Sequence, residues 1–251
     1  MADARLARFR RLLAAASRTE YYRPWLEKAG LDTPGHTAAL PSIEEALSRL
    51  PPVELAFFLG NQARFRNPHG PWTAWARFHF PNGETPRTAV LMNGFRPSLH
   101  VRALPNGLGR LLAWSQPEAL AGPLEKLCLV AAAVEAGQLS LRSLNRAVIV
   151  LTQLGKAGLG EQDREMLWQT FQVPVFEYLL GFANELLAWE CDAHQGLHVL
   201  SSEAVFERRG TRLLCTSLVD LSYPVLRLAT GVTASLEDGA CACGEPGPRM
   251  L

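Results

Sequence analysis

The sequence predicts an α/β fold: N-terminal helices, then a mixed, partly parallel sheet with flanking helices, then a C-terminal β-hairpin region. Three observations predict it. Residues 3–30 set Leu6, Phe9, Leu12 and Leu13 on one helical face. Residues 147–151 (AVIVL) form a short β-branched run, followed by a glycine loop, an amphipathic stretch and a further apolar run at 173–176. Residues 198–208 and 211–217 alternate in character and meet at Arg209-Gly210, the signature of a hairpin.

Element by element, the first helical stretch continues through Tyr21, Tyr22, Trp25 and Leu26 and stops at Gly30. Ser42 with Glu45 is a capping-box pattern that opens another helix, and Pro51-Pro52 ends it. Residues 60–87 are rich in proline, glycine and aromatics and read as an irregular connection, with His69 and His79 as surface or packing residues. Strands are expected at 88–92 and 99–103, and a helix over 117–136 built on Leu120, Leu124, Leu127 and Val130. After the 147–151 strand, Gly155, Gly158 and Gly160 lead into a helix over 161–171. Strand, helix, strand at that spacing implies a right-handed crossover and a parallel pair. Residues 224–228 start a last short strand.

At 251 residues, these segments suit one compact domain: a helical segment 1–59, the connection 60–87, and an α/β core 88–251. Apolar residues make up 48% and charged residues 20%, so a sizeable core can form. The net charge of +1 gives no drive toward nucleic acid or an anionic membrane. The opening MADARLARFRRLLAAA is an arginine-studded amphipathic helix rather than a secretory leader, and no apolar run is long enough to span a bilayer. Five cysteines, an odd count, fit free thiols in a reducing cytoplasm better than a disulfide framework.

Four residues stand out chemically. Cys191-x-x-His194 and Cys241-x-Cys243 pair soft ligands at short spacing, and two such turns are what a tetrahedral zinc site needs. Three thiolates and an imidazole leave no open coordination position, so the expected role is structural: zinc closing the C-terminal region. His198 is the alternative to His194 in that set, and is itself expected to pack or to face a pocket rather than to ligate. Cys128 and Cys215 lie in apolar patterns and read as core thiols, and Trp168, Phe171, Phe176 and Trp189 as core packing.

Four segments, in order, resemble the phenylacetate–CoA ligase family of adenylate-forming enzymes, including its deazaflavin-adenylylating relatives. They are EYYRPWLEKAGLD with LPSIEEALSRLPPVE, then GEQDREMLWQTFQVPVFEYLLG, then WECDAHQGLHV, then SLVDLSYPVLRLATGV with DGACACGEPGPR. They cover roughly the first sixty residues and 120–249. The resemblance implies a truncated adenylate-forming large domain and an ancestral ATP-dependent carboxylate–CoA ligase activity.

Its departures matter as much. No Ser-Gly-Thr-Thr-Gly phosphate loop occurs in residues 60–110, and the family's ribose-holding Asp is Val232 here, while Arg227, Thr230 and Gly231 stay in register and Ala229 replaces the second Arg. The chain stops at Leu251, where the family's lysine-bearing C-terminal domain would begin. Glu185 stands one place late for the family's Tyr-Gly-x-x-Glu motif and reads either as a Mg²⁺ holder or as a helix-surface or capping residue. Arg227 reads either as a residual anion-binding residue or as a surface or salt-bridged arginine.

The expectation is therefore a non-catalytic, zinc-stabilised binding or partner protein without ATP, AMP or CoA as cofactors and with no catalytic residue. Arg227, Thr230, Gly231, Glu185 and His198 are its candidate ligand-binding residues, for a small carboxylate or acyl compound. A pathway protein and a second copy of the chain are the candidate partners. The rival is a carboxylate-activating acyl/aryl-CoA or amide ligase that works only with a complementing subunit.

Overall fold

A computed structural model describes residues 2–70, 75–80, 83–107, 109–232 and 234–251. It resolves two compact units, each drawn from segments distant in sequence. The first comprises Met1–Ala74, Val199–Gly239 and Pro246–Leu251, the second Trp75–His198 and Ala240–Glu245.

In the first unit, α1 (Ala2–Ala16) buries Phe9, Leu12 and Leu13 completely, the face that the heptad spacing predicts. Next come α2 (Arg23–Ala29), closed by Gly30 in the left-handed region, α3 (Pro34–Ala38) and α4 (Ile43–Ser48). Ser42 Oγ accepts from Glu45 N at 3.1 Å, so the expected cap is present. β1 (Val53–Glu54), α5 (Leu55–Gly60) and α6 (Gln62–Phe65) follow. The last two extend the helical part past residue 59 into the expected irregular stretch, of which 71–74 and 81–82 lie outside the described residues. Tyr21, Tyr22, Phe57, Phe58 and Phe65 form one aromatic cluster. The buried Tyr22 hydroxyl bonds both Leu226 O (3.1 Å) and Leu226 N (3.0 Å), and burial pushes its phenol well above the ordinary value.

The second unit is a mixed sheet. Its strands are β2 (Thr88–Val90), β3 (Val101–Ala103), β4 (Ala119–Gly122), β5 (Ala147–Gln153), β6 (Val175–Leu180), β7 (Leu186–Glu190) and β8 (Leu197–Val199), in the order β8-β7-β6-β5-β4-β2-β3. β3, β2, β4, β5 and β6 run parallel, and β7 returns antiparallel to β6. The helices are α7 (Arg110–Ser115), α8 (Leu124–Glu135) and α9 (Glu161–Phe171).

The helix expected over 117–136 is corrected. Its first third is the fully buried strand β4, and the helix begins at Leu124 after Pro123. An apolar run buried on both faces of a sheet has no strand period to distinguish it from a helix. One face of the sheet packs Leu120, Leu127, Val130, Val148 and Leu167, the other Phe95, Ile149, Phe176 and Tyr178. Trp168, expected in the core, is 47% exposed, while Phe171 and Phe176 are buried.

Back in the first unit, β9 (Ala204–Arg209) and β10 (Arg212–Ser217) form the expected hairpin, with its turn at Gly210–Thr211. The hairpin starts at 204, because His198 belongs to β8. β11 (Val225–Ala229) pairs antiparallel with β10 and parallel with β1, giving a sheet of order β1-β11-β10-β9. β12 (Leu236–Glu237) and β13 (Arg249–Met250) pair antiparallel. Among the described residues, no helix is long and apolar enough to cross a membrane.

Candidate metal centre

Two turns of the second unit supply the soft ligands. Cys191 follows the last residue of β7, and His194 N closes a turn on Cys191 O at 3.0 Å. In the second turn, Gly244 N returns to Cys241 O at 2.9 Å, and Glu245 N points at Cys243 Sγ at 3.4 Å. Gly244 has φ 86°, which lets the chain reverse immediately after the second ligand.

The cluster that results is Cys191, His198, Cys241 and Cys243, with every ligand atom within 4.8 Å of the others. Cys191 Sγ lies 3.7 Å from Cys241 Sγ, and His198 Nε2 lies 3.3 Å from Cys191 Sγ and 3.4 Å from Cys243 Sγ. A tetrahedral ion with metal–sulfur bonds of about 2.3 Å and metal–nitrogen bonds of about 2.05 Å sets edges near 3.8 and 3.6 Å. The 3.7 Å sulfur–sulfur and 3.3–3.4 Å sulfur–nitrogen separations lie close to those edges, and 3.7 Å is far too long for a disulfide. The four residues could therefore hold a metal ion.

Burial pushes the Cys191 thiol up to about 11; the Cys243 and Cys241 thiols add to the rise and a backbone bond at Ala193 opposes it. Burial and the neighbouring thiols favour the protonated form of Cys191, and a bound cation would reverse that preference because thiolate is its ligand. The Trp189 ring stacks on His198 at 5.1 Å and fixes the imidazole plane. Cys215 is fully buried and Cys128 half-buried, both outside the cluster.

His194, the imidazole expected in the set, is committed elsewhere, and His198 replaces it. The reason is a carboxylate. Glu190, 5% exposed, accepts Arg164 Nη2 on both oxygens (2.9 and 3.0 Å), Glu177 N (2.8 Å) and His194 Nδ1 (2.9 Å). The His194 ring stacks on Phe176 at 5.5 Å, and its φ of 50° turns the chain so that His198 comes round on β8. Glu190 is a structural residue that sequence reasoning missed; its signal was a charge ending an apolar strand directly before a ligand. Glu177 is a second: within the apolar run of β6, it accepts Thr152 Oγ1 (2.6 Å) and Leu159 N (3.0 Å), tying down the glycine loop.

The candidate ligand-binding residues are spent on internal bonds. Glu185 is buried and folds back on its own turn, Oε2 accepting from Ala183 N at 3.0 Å; a Cβ on Gly181 would stand 2.1 Å from its Oε1. Beside it, Asn184 donates to Asn93 O (3.0 Å) and accepts from Gln153 Nε2 (3.2 Å). That amide bridges the loops at the carboxyl ends of β2, β5 and β6, where open parallel sheets usually take their ligands. In the first unit, Arg227 pairs with Glu207 (3.2 Å) and donates to Leu50 O, Thr230 Oγ1 bonds Leu213 O (3.2 Å), and Gly231 adopts φ 75°. Burial raises the Glu207 carboxyl despite Arg227, whose charge opposes the shift.

A parallel sheet closed by an antiparallel return, with N-terminal helices and a hairpin sheet, is a fold that this chain shares with solved structures of an acyl-CoA ligase. Compared by sequence, the chain matches no protein-family model and no curated protein. Compared by structure, it is similar to 2-hydroxyisobutyryl-CoA ligase. With that enzyme's open conformation, in complex with 2-HIB-AMP and CoA, the TM-score is 0.67 at 16% identity, over 99% of this chain and 68% of the ligase. With its postadenylation state, in complex with R3-HIB-AMP, it is 0.68 at 15% identity, over 99% and 66%. The chain thus spans about two thirds of the ligase it matches, and at this identity the likeness establishes the fold.

Proposed function

We propose that this chain is a non-catalytic relative of the phenylacetate–CoA ligase branch of that fold, held together by a structural zinc ion and acting as a binding or partner protein. The observation that carries it is the Asn184–Glu185 turn, whose polar groups bond the protein's own backbone and side chains at the sheet's carboxyl ends. Val232 supports it, because an isopropyl group cannot accept the hydrogen bonds of ribose hydroxyls. So do Arg227 and Thr230, already paired within the protein. Adenylation needs positioned donors around a transferring phosphate, and these residues offer none.

Zinc is the metal of choice for three cysteines and one histidine, since it favours tetrahedral sulfur and nitrogen ligands and has no redox chemistry. Cys191, His198, Cys241 and Cys243 would hold it with every position filled, which makes it a structural brace. A reducing cytoplasm keeps such thiols available. ATP–pyrophosphate exchange against a panel of carboxylic acids tests the reading: no exchange is expected, and exchange with any acid overturns it.

A second reading is favoured by the fold likeness over 99% of the chain: a carboxylate-activating ligase completed by another polypeptide. Co-purification with a protein carrying a glycine-rich phosphate loop, together with restored exchange, would select it.

A further inference from the structure

A net charge of +1 conceals a local asymmetry. Between residues 75 and 110 the sequence has five arginines, one glutamate, and no lysine or aspartate. This stretch lies outside the segments that carry the family resemblance. Arg87 pairs with Glu118, and Arg102 lies over the Trp114 ring at 5.3 Å. Arg77 and Arg96 have no ion-pair or side-chain hydrogen-bond partner among the described residues.

Backbone register brings those two together. Ala76 N donates to Gly94 O and Arg96 N to Ala76 O, both at 2.8 Å, forming a parallel bridge between Ala76 and Phe95. Residues 77 and 96 are therefore the next pair in register. Phe95 is buried, and exposure alternates along 76–80, so Arg77, His79 and Arg96 share the outer side. Together with Phe78, Pro97 and Val101 they line an open groove of about 420 Å³ that has no acidic lining residue. Phe78 is held from behind by Phe95 (5.9 Å, edge-on) and Tyr178 (6.1 Å, stacked).

Like charges in register repel, and nothing among the described residues compensates this pair. An anion does. We infer that the groove binds a phosphate monoester: the dianionic phosphate between the Arg77 and Arg96 guanidiniums, the ester group against Phe78, Pro97 and Val101. The two fixed charges decide between anions. A phosphomonoester carries about −1.5 to −2 at neutral pH and a carboxylate only about −1. Guanidinium forks match phosphate oxygens in bidentate geometry. The volume falls within the roughly 300–1,000 Å³ range of small-molecule sites.

The test is isothermal titration calorimetry on the full chain at low salt with phenyl phosphate, beside benzoate, inorganic phosphate and phenol. Phenyl phosphate should bind saturably, with benzoate and inorganic phosphate weaker and phenol silent. Arg77→Gln and Arg96→Gln should each weaken it about tenfold or more, and the double variant abolish it. Arg96→Lys should fall between, and Arg110→Gln should match the parent. The glutamine variants should melt no lower than the parent, because they relieve repulsion, whereas a structural role would lower their melting temperature. No binding at millimolar phenyl phosphate overturns the inference, as does binding that persists in the double variant. Benzoate or inorganic phosphate binding as tightly as phenyl phosphate also overturns it. None of these outcomes bears on pyrophosphate exchange, so this site and the proposed loss of catalysis stand or fall separately.

Discussion

The two metal turns and the nucleotide-related positions are both built from polar residues in loops, yet they have opposite fates. At Cys191, His198, Cys241 and Cys243 the side chains converge on one point, at edge lengths that suit a single ion. At Glu185, Arg227 and Thr230 the side chains bond backbone groups or an opposite charge of the protein. The first arrangement could hold a cation, and the second bonds within the protein. That contrast separates residues that could hold an ion from residues already bonded to the protein itself.

Breaking the first side should have the largest effect. A structural zinc can supply ~10 kcal/mol or more of folding free energy. Cys191→Ser should therefore lose stoichiometric metal and lower the melting temperature by at least about 10 °C in a scanning calorimeter. An unchanged melt would make the four residues an ordinary thiol cluster.

The neighbouring ion network sharpens the comparison, because it stabilises without a metal. Glu190→Ala would leave Arg164 Nη2 and Glu177 N without their acceptor. Removing one partner of a pair this buried costs about 3–5 kcal/mol. Urea unfolding should show that loss, and a change below about 1 kcal/mol would mean solvent already screens the pair.

The smallest effect concerns Asp220, whose carboxyl burial raises above its ordinary value, against backbone bonds from Tyr223 N (3.1 Å) and Ser222 N (2.8 Å). A raised folded-state value gives stability that is present below the unfolded value and lost as pH rises through the folded one. Asp220→Asn keeps the acceptor and cannot ionise, so its stability relative to the parent should increase as pH rises through that window. A parallel pair of stability–pH curves would contradict this.

What the sequence made legible was local. Ser42 with Glu45, the helix over 161–171, the AVIVL strand and the parallel crossover each follow from patterns local in the chain. The paired cysteines were legible for the same reason, since each turn sets its own bite. What escaped depended on partners far along the chain. Two-residue β1 exists only because β11 lies beside it, and β4 looks helical until both its faces are buried. The choice of His198 over His194 turned on Glu190, whose demand for donors in a buried position takes the nearer imidazole. Spacing alone offers both histidines and cannot rank them. The basic groove was hidden by the balanced total charge, because register, not composition, sets Arg77 beside Arg96.

The most direct measurement is X-ray absorption spectroscopy on the purified chain and on its His198→Ala and His194→Ala variants. Zinc with three sulfurs at about 2.3 Å and one nitrogen at about 2.0–2.1 Å is expected in the parent and in His194→Ala, with the nitrogen lost in His198→Ala. A metal-free parent, or loss of that nitrogen in His194→Ala instead, would contradict the assignment.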